Sequence, residues 1–501
     1  MNHRPQPSNS KHMKDLESTQ YNHPIADSTL ESTPTVYDQP KYYLRRRRKA
    51  AVALSMIWGG TITLHLVSWG SWLILGLTGI FSIHVFRLLL TSPRKLPPMW
   101  TGEAESDWPF VSLLVAAKNE EAVIQNLVRG LCNLDYPTDC YEVWVIDDNS
   151  SDQTATLLEQ MMPKYQQLNV LRRKPTDGGG KSGALNQVLP LTQGEIIGVF
   201  DADARVSQDL LRRVLPLFEH QRVGAVQTRK AIANESTNFW TRSQAAEMVL
   251  DTTLQQKRVA LGGMGELRGN GQFVRRQALD RCGGWNEQTI TDDLDLTFRL
   301  HLDQWDIELM MFPPVQEEGV TTAKSLWHQR NRWVEGGYQR YLDYWRLIVR
   351  NRMSFMKTWD LFYFLLFQYV LPTAAIPDCL MALLLRRPPI TSPLTMLAVM
   401  LSFISMFMGL RRTQKRQFIE MAESELALNP TASDQTHTLN PSTHQRQPLH
   451  TWFNTLLQTL RGTLYMFHWF VVIGSVTTRI SVRPKRLKWV KTVHQGHEMT
   501  Q

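Results

Sequence analysis

Three acidic pairs punctuate the middle of this 501-residue chain: Asp147 with Asp148, Asp201 with Asp203, and Asp292 with Asp293. Aspartate is a hard oxygen donor, so a D-x-D pair where a strand stops suits a divalent cation that in turn holds substrate phosphates. The same pattern also serves as a helix cap or a solvated loop, and taken alone that reading is the commoner one. "GGGKSG" (178–183) places Lys181 in a glycine-rich loop, fit either to meet a phosphate or to make a plain turn. It is not a P-loop, because the glycine required five residues before Gly180 is Pro175. Asp292 and Asp293 follow Thr291 in "ITDDLDL", which alone reads as a helix start with acids favouring the dipole. Gln329, Arg332 and Trp333 recur at helical spacing in "HQRNRWVEGG", a pattern that an amphipathic membrane-surface segment also gives.

The elements that position these residues alternate between strand and helix signals. "FVSLLVAA" (110–117), "YEVWVID" (141–147), "NVLRR" (169–173) and "EIIGVF" (195–200) are apolar, β-branched runs. Between them, "NEEAVIQNLVRGLCNL", "SDQTATLLEQMM" and "SGALNQVLPL" carry helical periodicity. Alternation of this kind predicts an α/β domain with a mostly parallel sheet covered on both faces. Ligands of such sheets sit at the carboxyl ends of the strands, where Asp147, Asp148, Asp201 and Asp203 fall.

Around this domain the composition changes. Residues 1–43 are rich in Ser, Thr, Pro, His and Asn and predict a disordered tail. Residues 44–95 open with "LRRRRKA" and hold two apolar runs, Ala50–Trp69 and Ser71–Leu90, each about the twenty residues a membrane-crossing helix needs. The first run starts too far from the amino terminus, and is too long, for a secretory signal. The arginine cluster predicts a cytoplasmic start, two spans returning the chain to the cytoplasm at "SPRK", and an integral membrane protein. Residues 359–478 predict two to three further spans or re-entrant helices, the first interrupted by Pro372 and Pro377, with a flexible loop at about 411–450. A basic tail covers 479–501. The formal charge of +9 does not point to nucleic acid, because much of the excess flanks the apolar runs, where anionic lipid headgroups are the natural partner. The four cysteines form no C-x-x-C pair, so neither a zinc site nor a disulfide framework is indicated.

The order D-D, K-x-G-A-L-N, D-x-D, T-D-D and Q-x-x-R-W over roughly 108–350 resembles the processive-type family 2 glycosyltransferases, which include cellulose, hyaluronan and lipid-sugar synthases. "ELRGNGQFVRR" (266–276), "CGGWNEQTITDDLDLTFRLHLDQW" (282–305) and "LWHQRNRWVEGGYQRYLDYW" (326–345) resemble its cyanobacterial glycolipid-forming branch. The resemblance implies a Rossmann-like GT-A domain over 105–335, on the cytoplasmic side of a plasma or thylakoid membrane. It implies an inverting hexosyltransferase that uses UDP-glucose, diacylglycerol and Mg²⁺, with a cellulose- or hyaluronan-type polysaccharide synthase as the alternative. By the same resemblance Asp203 and Asp201 hold the metal, and Asp147, Asp148, Lys181, Asp201, Gln329 and Arg332 bind the donor. Asp148 is implied at the uracil ring, Lys181 and Arg332 at the diphosphate, and Trp333 at the acceptor. Asp293 is implied as general base, with Asp292 its competitor. "VAAKNEE" departs from the family's usual residues before Asn-Glu and leaves the role of Lys118 open. Downstream, Tyr338, Tyr341, Leu342, Trp345 and Ile348 recur at three- and four-residue steps with Arg340, Arg346, Arg350 and Arg352 interleaved. That pattern predicts an amphipathic interface helix over 336–358, lying in the headgroup region.

Overall fold

Alternation along "VSLLVAA" decides the centre of the molecule. In the computed structural model, which describes residues 46–101, 108–350, 352–428 and 449–482, this segment is β1 (Val111–Ala117). Its Leu113 and Val115 face one apolar core and its Leu114 the other. The remaining strands are β2 (Tyr141–Asp147), β3 (Leu168–Arg172), β4 (Ile196–Phe200), β5 (Val223–Ile232), β6 (Gln272–Arg275) and β7 (Asp306–Glu317). They form one sheet in the order β3-β2-β1-β4-β6-β5-β7. Only β6 runs antiparallel to its neighbours, so the mostly parallel sheet expected from the alternating pattern is what forms.

Helices cover both faces. The core on one side holds Ile124, Leu127, Val128 and Leu131 of α3 (Ile124–Cys132), with α4 (Thr154–Met161) and α6 (Leu210–Val214) beside it. The other side holds Ala184, Leu185 and Val188 of α5 (Gly180–Val188), with α8 (Arg276–Arg281) and α9 (Asp292–Leu302). Each buried Leu or Val contributes roughly 1.5–3 kcal/mol, so these two layers hold the strand ends in place.

Before the domain come α1 (Arg46–Leu66) and α2 (Gly70–Leu90), and within it the long α7 (Phe239–Ala260). After it come α10 (Ala323–Val349), α11 (Phe355–Leu365), α12 (Leu371–Leu385), α13 (Ser392–Leu428), α14 (Leu449–Met466) and α15 (His468–Val482). Three helical stretches among the described residues are long and apolar enough to cross a membrane: Gly70–Leu90, Phe355–Leu385 and Ser392–Arg416. α1 forms but is not one of them, and α15 has only 15 residues. The prolines do not break the segment after residue 359. α11 continues into α12 through a π-helical turn, Leu366–Val370, with Pro372 at the start of α12 and Pro377 inside it. α13 extends well past residue 411, replacing the first part of the expected loop with helix. The expected loop's stretch 429–448, the tail 1–43 and most of the basic tail lie outside the described residues.

α7 and α10 join the two parts. α7 packs on β5 and also on α13 and α14. At its end the Lys257 ammonium donates to the carbonyls of Leu88 and Leu89 at 3.2 and 2.8 Å, a cation at the carboxyl terminus of α2.

α10 differs from the expectation for 336–358. It starts at Ala323, where the Thr322 side chain accepts from Ser325 N, so "QRNRW" and the aromatic stretch share one helix. Tyr338, Tyr341 and Tyr344 are buried in the protein. Tyr338 meets Thr373 of α12 at 2.9 Å, and Arg340 is 2 % exposed beside Glu266. Their partners on α12, α15 and the α/β domain, absent from any helical-wheel reading, pull this face inward. Trp345, Arg346 and Arg350 remain exposed.

Candidate active site

The parallel register lines up the strand ends: Ala117 pairs with Asp147, and Val115 with Phe200. Asp148 and Asp201 therefore emerge at the same edge of the sheet. A cavity of ≈ 500 Å³ opens there. Asp148, Lys181, Asp201, Asp203, Asp292, Asp293, Gln329, Arg332 and Trp333 all line it, so folding gathers nine of the ten residues singled out in the sequence.

The tenth, Asp147, sits elsewhere. It is 1 % exposed, and its Oδ1 accepts from Ser150 N at 3.0 Å in the turn after β2. It shapes the turn that presents Asp148. The Asp148 carboxylate accepts from Arg173 Nη1 at 2.5 Å and pairs with Lys118 Nζ at 3.5 Å. Lys118 also donates to the Asp148 carbonyl at 2.9 Å, which places this departure from the family pattern in the cavity wall.

The loop after β4 is tied down on three sides. Asp201 N donates to Asn270 Oδ1 at 3.2 Å, and Asp203 Oδ2 accepts from Glu318 N at 2.8 Å. Arg205 pairs with Gln316 at the end of β7. The Lys181 ammonium donates to Asp201 Oδ1. Burial works against the Lys181 charge, but Asp201 beside it and Asp292 nearby hold its pKa above the usual lysine value.

Asp292 and Asp293 open α9. Burial first, and the Asp292 charge second, push the Asp293 carboxyl up from 3.8 to about 6. Gly269, at φ +84°, allows the neighbouring backbone to approach, and a Cβ there would lie 3.4 Å from Asp293 Oδ2. Arg332 responds to the opposite balance: burial lowers its pKa, while Asp201, Asp293 and Asp292 raise it.

Sequence reasoning missed Lys230, Glu247 and Trp469 in the cavity lining, and Arg330 buried against the lining Trp333. Lys230, inside β5, pairs with Glu317 of β7 at 2.8 Å and sits 5.7 Å from the centre of the Trp333 ring. Burial opposes the Lys230 charge and Glu317 overrides it, so its pKa is raised. Arg330, fully buried, stacks its guanidinium 4.0 Å from the Trp333 ring and 5.4 Å from Trp469. Glu247 of α7 accepts from Arg330, and from Trp469 Nε1 at 2.9 Å. The one available signal was charge inside apolar runs, as in "VQTRKAI", and it names no partner.

The cavity does not end at these polar groups. Phe364 and Phe367, Leu401 of α13, and Trp469 and Ile473 of α15 line it as well. One space thus joins the acidic strand ends to the membrane-type helices.

A seven-stranded GT-A-type sheet, acids at its strand ends and attached apolar helices define a glycosyltransferase of the membrane-associated kind. Residues 109–336 match the family described as glycosyltransferase like family 2, and the chain belongs to that family. It is 60 % identical to a beta-monoglucosyldiacylglycerol synthase of Trichormus variabilis over 91 % of either chain. To the protein of the same name from Synechocystis sp. it is 56 % identical, over 90 % of this chain and 88 % of the other. Among solved structures it is similar to the mannosyltransferase PcManGT from Pyrobaculum calidifontis, with 18 % identity, a TM-score of 0.46, and 84 % of this chain and 99 % of that one covered.

Proposed function

We propose that this protein transfers glucose from UDP-glucose to the free hydroxyl of 1,2-diacylglycerol, with inversion, at the cytoplasmic face of its membrane. The observation that carries the reading is the single cavity that runs from Asp201, Asp203 and Asp293 to Phe367, Leu401 and Ile473. A water-soluble donor and a lipid acceptor need such a space, polar at one end and apolar at the other. The names of the relatives at 56 and 60 % identity support the same donor sugar and acceptor.

Asp148 suits the uracil ring, whose N–H a carboxylate accepts, and Arg332 with Lys181 suits the diphosphate. Asp203 and Asp201 fit a divalent cation: both carboxylates meet at one strand end, and Asp201 already draws the Lys181 ammonium. Among the described residues no group of three or more His, Cys, Asp or Glu side chains is arranged to hold a metal. Two carboxylates completed by substrate phosphate oxygens is a usual Mg²⁺ arrangement. When bound, such a cation neutralises charge on the departing diphosphate.

Asp293 takes the proton from the acceptor hydroxyl as its oxygen bonds to the anomeric carbon and the bond to UDP breaks. A carboxyl raised to about 6 is still largely ionised at pH 7 and more basic than an ordinary aspartate. With one base and no carboxylate nucleophile assigned, a single displacement turns the α-linked donor into a β-linked product. Trp333, held by Arg330, walls the acceptor side.

The test is incubation of membranes containing the protein with labelled UDP-glucose, followed by lipid extraction. A labelled glycolipid co-migrating with monoglucosyldiacylglycerol is expected. Label retained in polymer would overturn the reading in favour of a polysaccharide synthase.

A further inference from the structure

Lys118 lines the cavity just past the end of β1, at the place where the chain departs from the usual family residues. Its side chain is 40 % exposed and that of Asp148 22 %, so both are reachable from the cavity they line. The ammonium donates to the Asp148 carbonyl at 2.9 Å and stands 3.5 Å from Asp148 Oδ2. An ammonium has three donors, and these two contacts among the described residues leave one to spare.

Backbone and loop contacts hold the pair in place. Asp148 N donates to the Ala117 carbonyl at 2.8 Å. Asn119, at φ +55°, turns the chain directly after Lys118, in a region that asparagine tolerates better than most residues. Its N–H donates to Ser150 Oγ at 2.9 Å, and its Oδ1 accepts from Ser151 N at 2.7 Å. Glu120 N donates to Thr154 Oγ1 at 2.8 Å. The loops after β1 and β2 are thus stitched together, and a donor and an acceptor stand side by side before any ligand arrives.

Their order identifies the ligand's chemistry. An ammonium only donates and a carboxylate only accepts, so the pair matches a planar edge in which an N–H lies next to a carbonyl. Uracil has that edge, N3–H with a carbonyl on either side. Cytosine reverses it: an unprotonated ring nitrogen would face the carboxylate, and on the amino side an N–H would face the ammonium. A site built to pair polar groups rejects a ligand that leaves them unpaired. The diphosphate has its own cation at the end of β4, where Lys181 sits beside Asp201.

We propose that Lys118 donates to a uracil carbonyl flanking N3–H, making it a specificity-determining residue for the base of the donor. This deepens, and rests on, the reading that places the uracil of UDP-glucose at Asp148.

The experiment measures binding of UDP, CDP, 2-thio-UDP and 4-thio-UDP by calorimetry, with full-length protein in nanodiscs and Mg²⁺ present. A thiocarbonyl accepts hydrogen bonds poorly while N3–H is kept. Wild type is expected to bind UDP about tenfold or more tightly than CDP, and one of the thio analogues about three- to tenfold less tightly than UDP. Lys118→Met should bind UDP and that analogue alike, whereas Lys118→Arg should keep the thio penalty. A lysine that merely held the Asp148 loop would weaken UDP and both thio analogues together and leave the penalty in place. That result, or no penalty in wild type, overturns this inference and leaves the uridine donor standing. Equal weakening of UDP and CDP in Lys118→Met, the mark of a phosphate contact, overturns it in the same way. If wild type binds UDP no more tightly than CDP, the placement of uracil at Asp148 fails and takes this inference with it.

Discussion

Asp293 is where position decides chemistry. Its carboxyl titrates near 6 in the folded chain against 3.8 in the open. The folded state therefore holds a proton that the unfolded state releases between those values. The stability contributed by that proton is complete below about pH 3.8 and lost as pH rises through 6. Asp293→Asn should lower turnover roughly 10²–10⁴-fold, with UDP binding retained. It should also raise the apparent Tm by about 1–3 °C at pH 7.5 but not at pH 4, seen by thermal scans at the two pH values. For wild type, kcat/KM should fall tenfold per pH unit below 6. Gly269→Ala tests the same carboxylate from the backbone side. A Cβ there would reach only ordinary contact with Asp293, at 3.4 Å, but alanine adopts a φ of +84° poorly, so the backbone beside Asp293 should shift and kcat should drop more than KM for UDP-glucose rises. Asp203→Ala should abolish transfer and the UDP-dependent binding of Mn²⁺ seen by electron paramagnetic resonance. Retained Mn²⁺ binding would place the cation elsewhere.

At the scale of elements, α7 and α10 together fix Trp333, the residue proposed to wall the acceptor side. Glu247 fixes Arg330, and Arg330 fixes the plane of Trp333 by stacking on it at 4.0 Å. A stacked guanidinium is worth about 0.5–2 kcal/mol, more when desolvated. Glu247→Gln keeps the size but removes the charge pairing and replaces one accepting oxygen with an amide donor, so that Arg330 or Trp469 loses its acceptor. It should raise KM for the lipid acceptor several-fold while leaving KM for UDP-glucose alone, as initial rates over both substrates would reveal. Equal changes in both constants would mean that the pair serves only to hold the helices together. α10 also shows how an amphipathic pattern misleads. Its tyrosines are core residues, Tyr338 facing α12 and α15 and Tyr344 facing α9, while Trp345, Arg346, Val349, Arg350 and Arg352 are exposed.

Across the whole molecule, polar residues inside apolar helices tie the bundle together. Asp378 of α12 accepts from Ile390 N at 2.8 Å and Thr391 N at 3.0 Å, and pairs with His65 of α1 at 2.6 Å. One carboxylate thus joins α1, α12 and the turn before α13. Replacing it by alanine leaves several buried donors unpaired at about 1–3 kcal/mol each. Asp378→Ala should therefore lower the thermal midpoint of detergent-solubilised protein by several degrees, while surviving folded protein keeps its KM for UDP-glucose.

What the sequence determined by itself was the sheet and the order of its chemistry. Near-continuous apolar runs in β1 and β4, separated by helical runs, point to a mostly parallel α/β sheet whose central strands are buried on both faces. Because parallel strands share one carboxyl edge, Asp148 and the D-x-D pair had to meet there. Three of the apolar runs became helices long and apolar enough to cross a membrane, whereas α1 and α15 did not meet that measure, and prolines suggested a break where a π-helical turn keeps the helix continuous. Tertiary structure decided the rest. Which face of α10 is buried, that Asp147 turns inward, that Lys230 meets Glu317 across two strands, and that the cavity reaches Phe367 all depend on contacts between residues far apart in the chain. A local pattern records the period of an element but not its neighbour, and burial is a property of the pair.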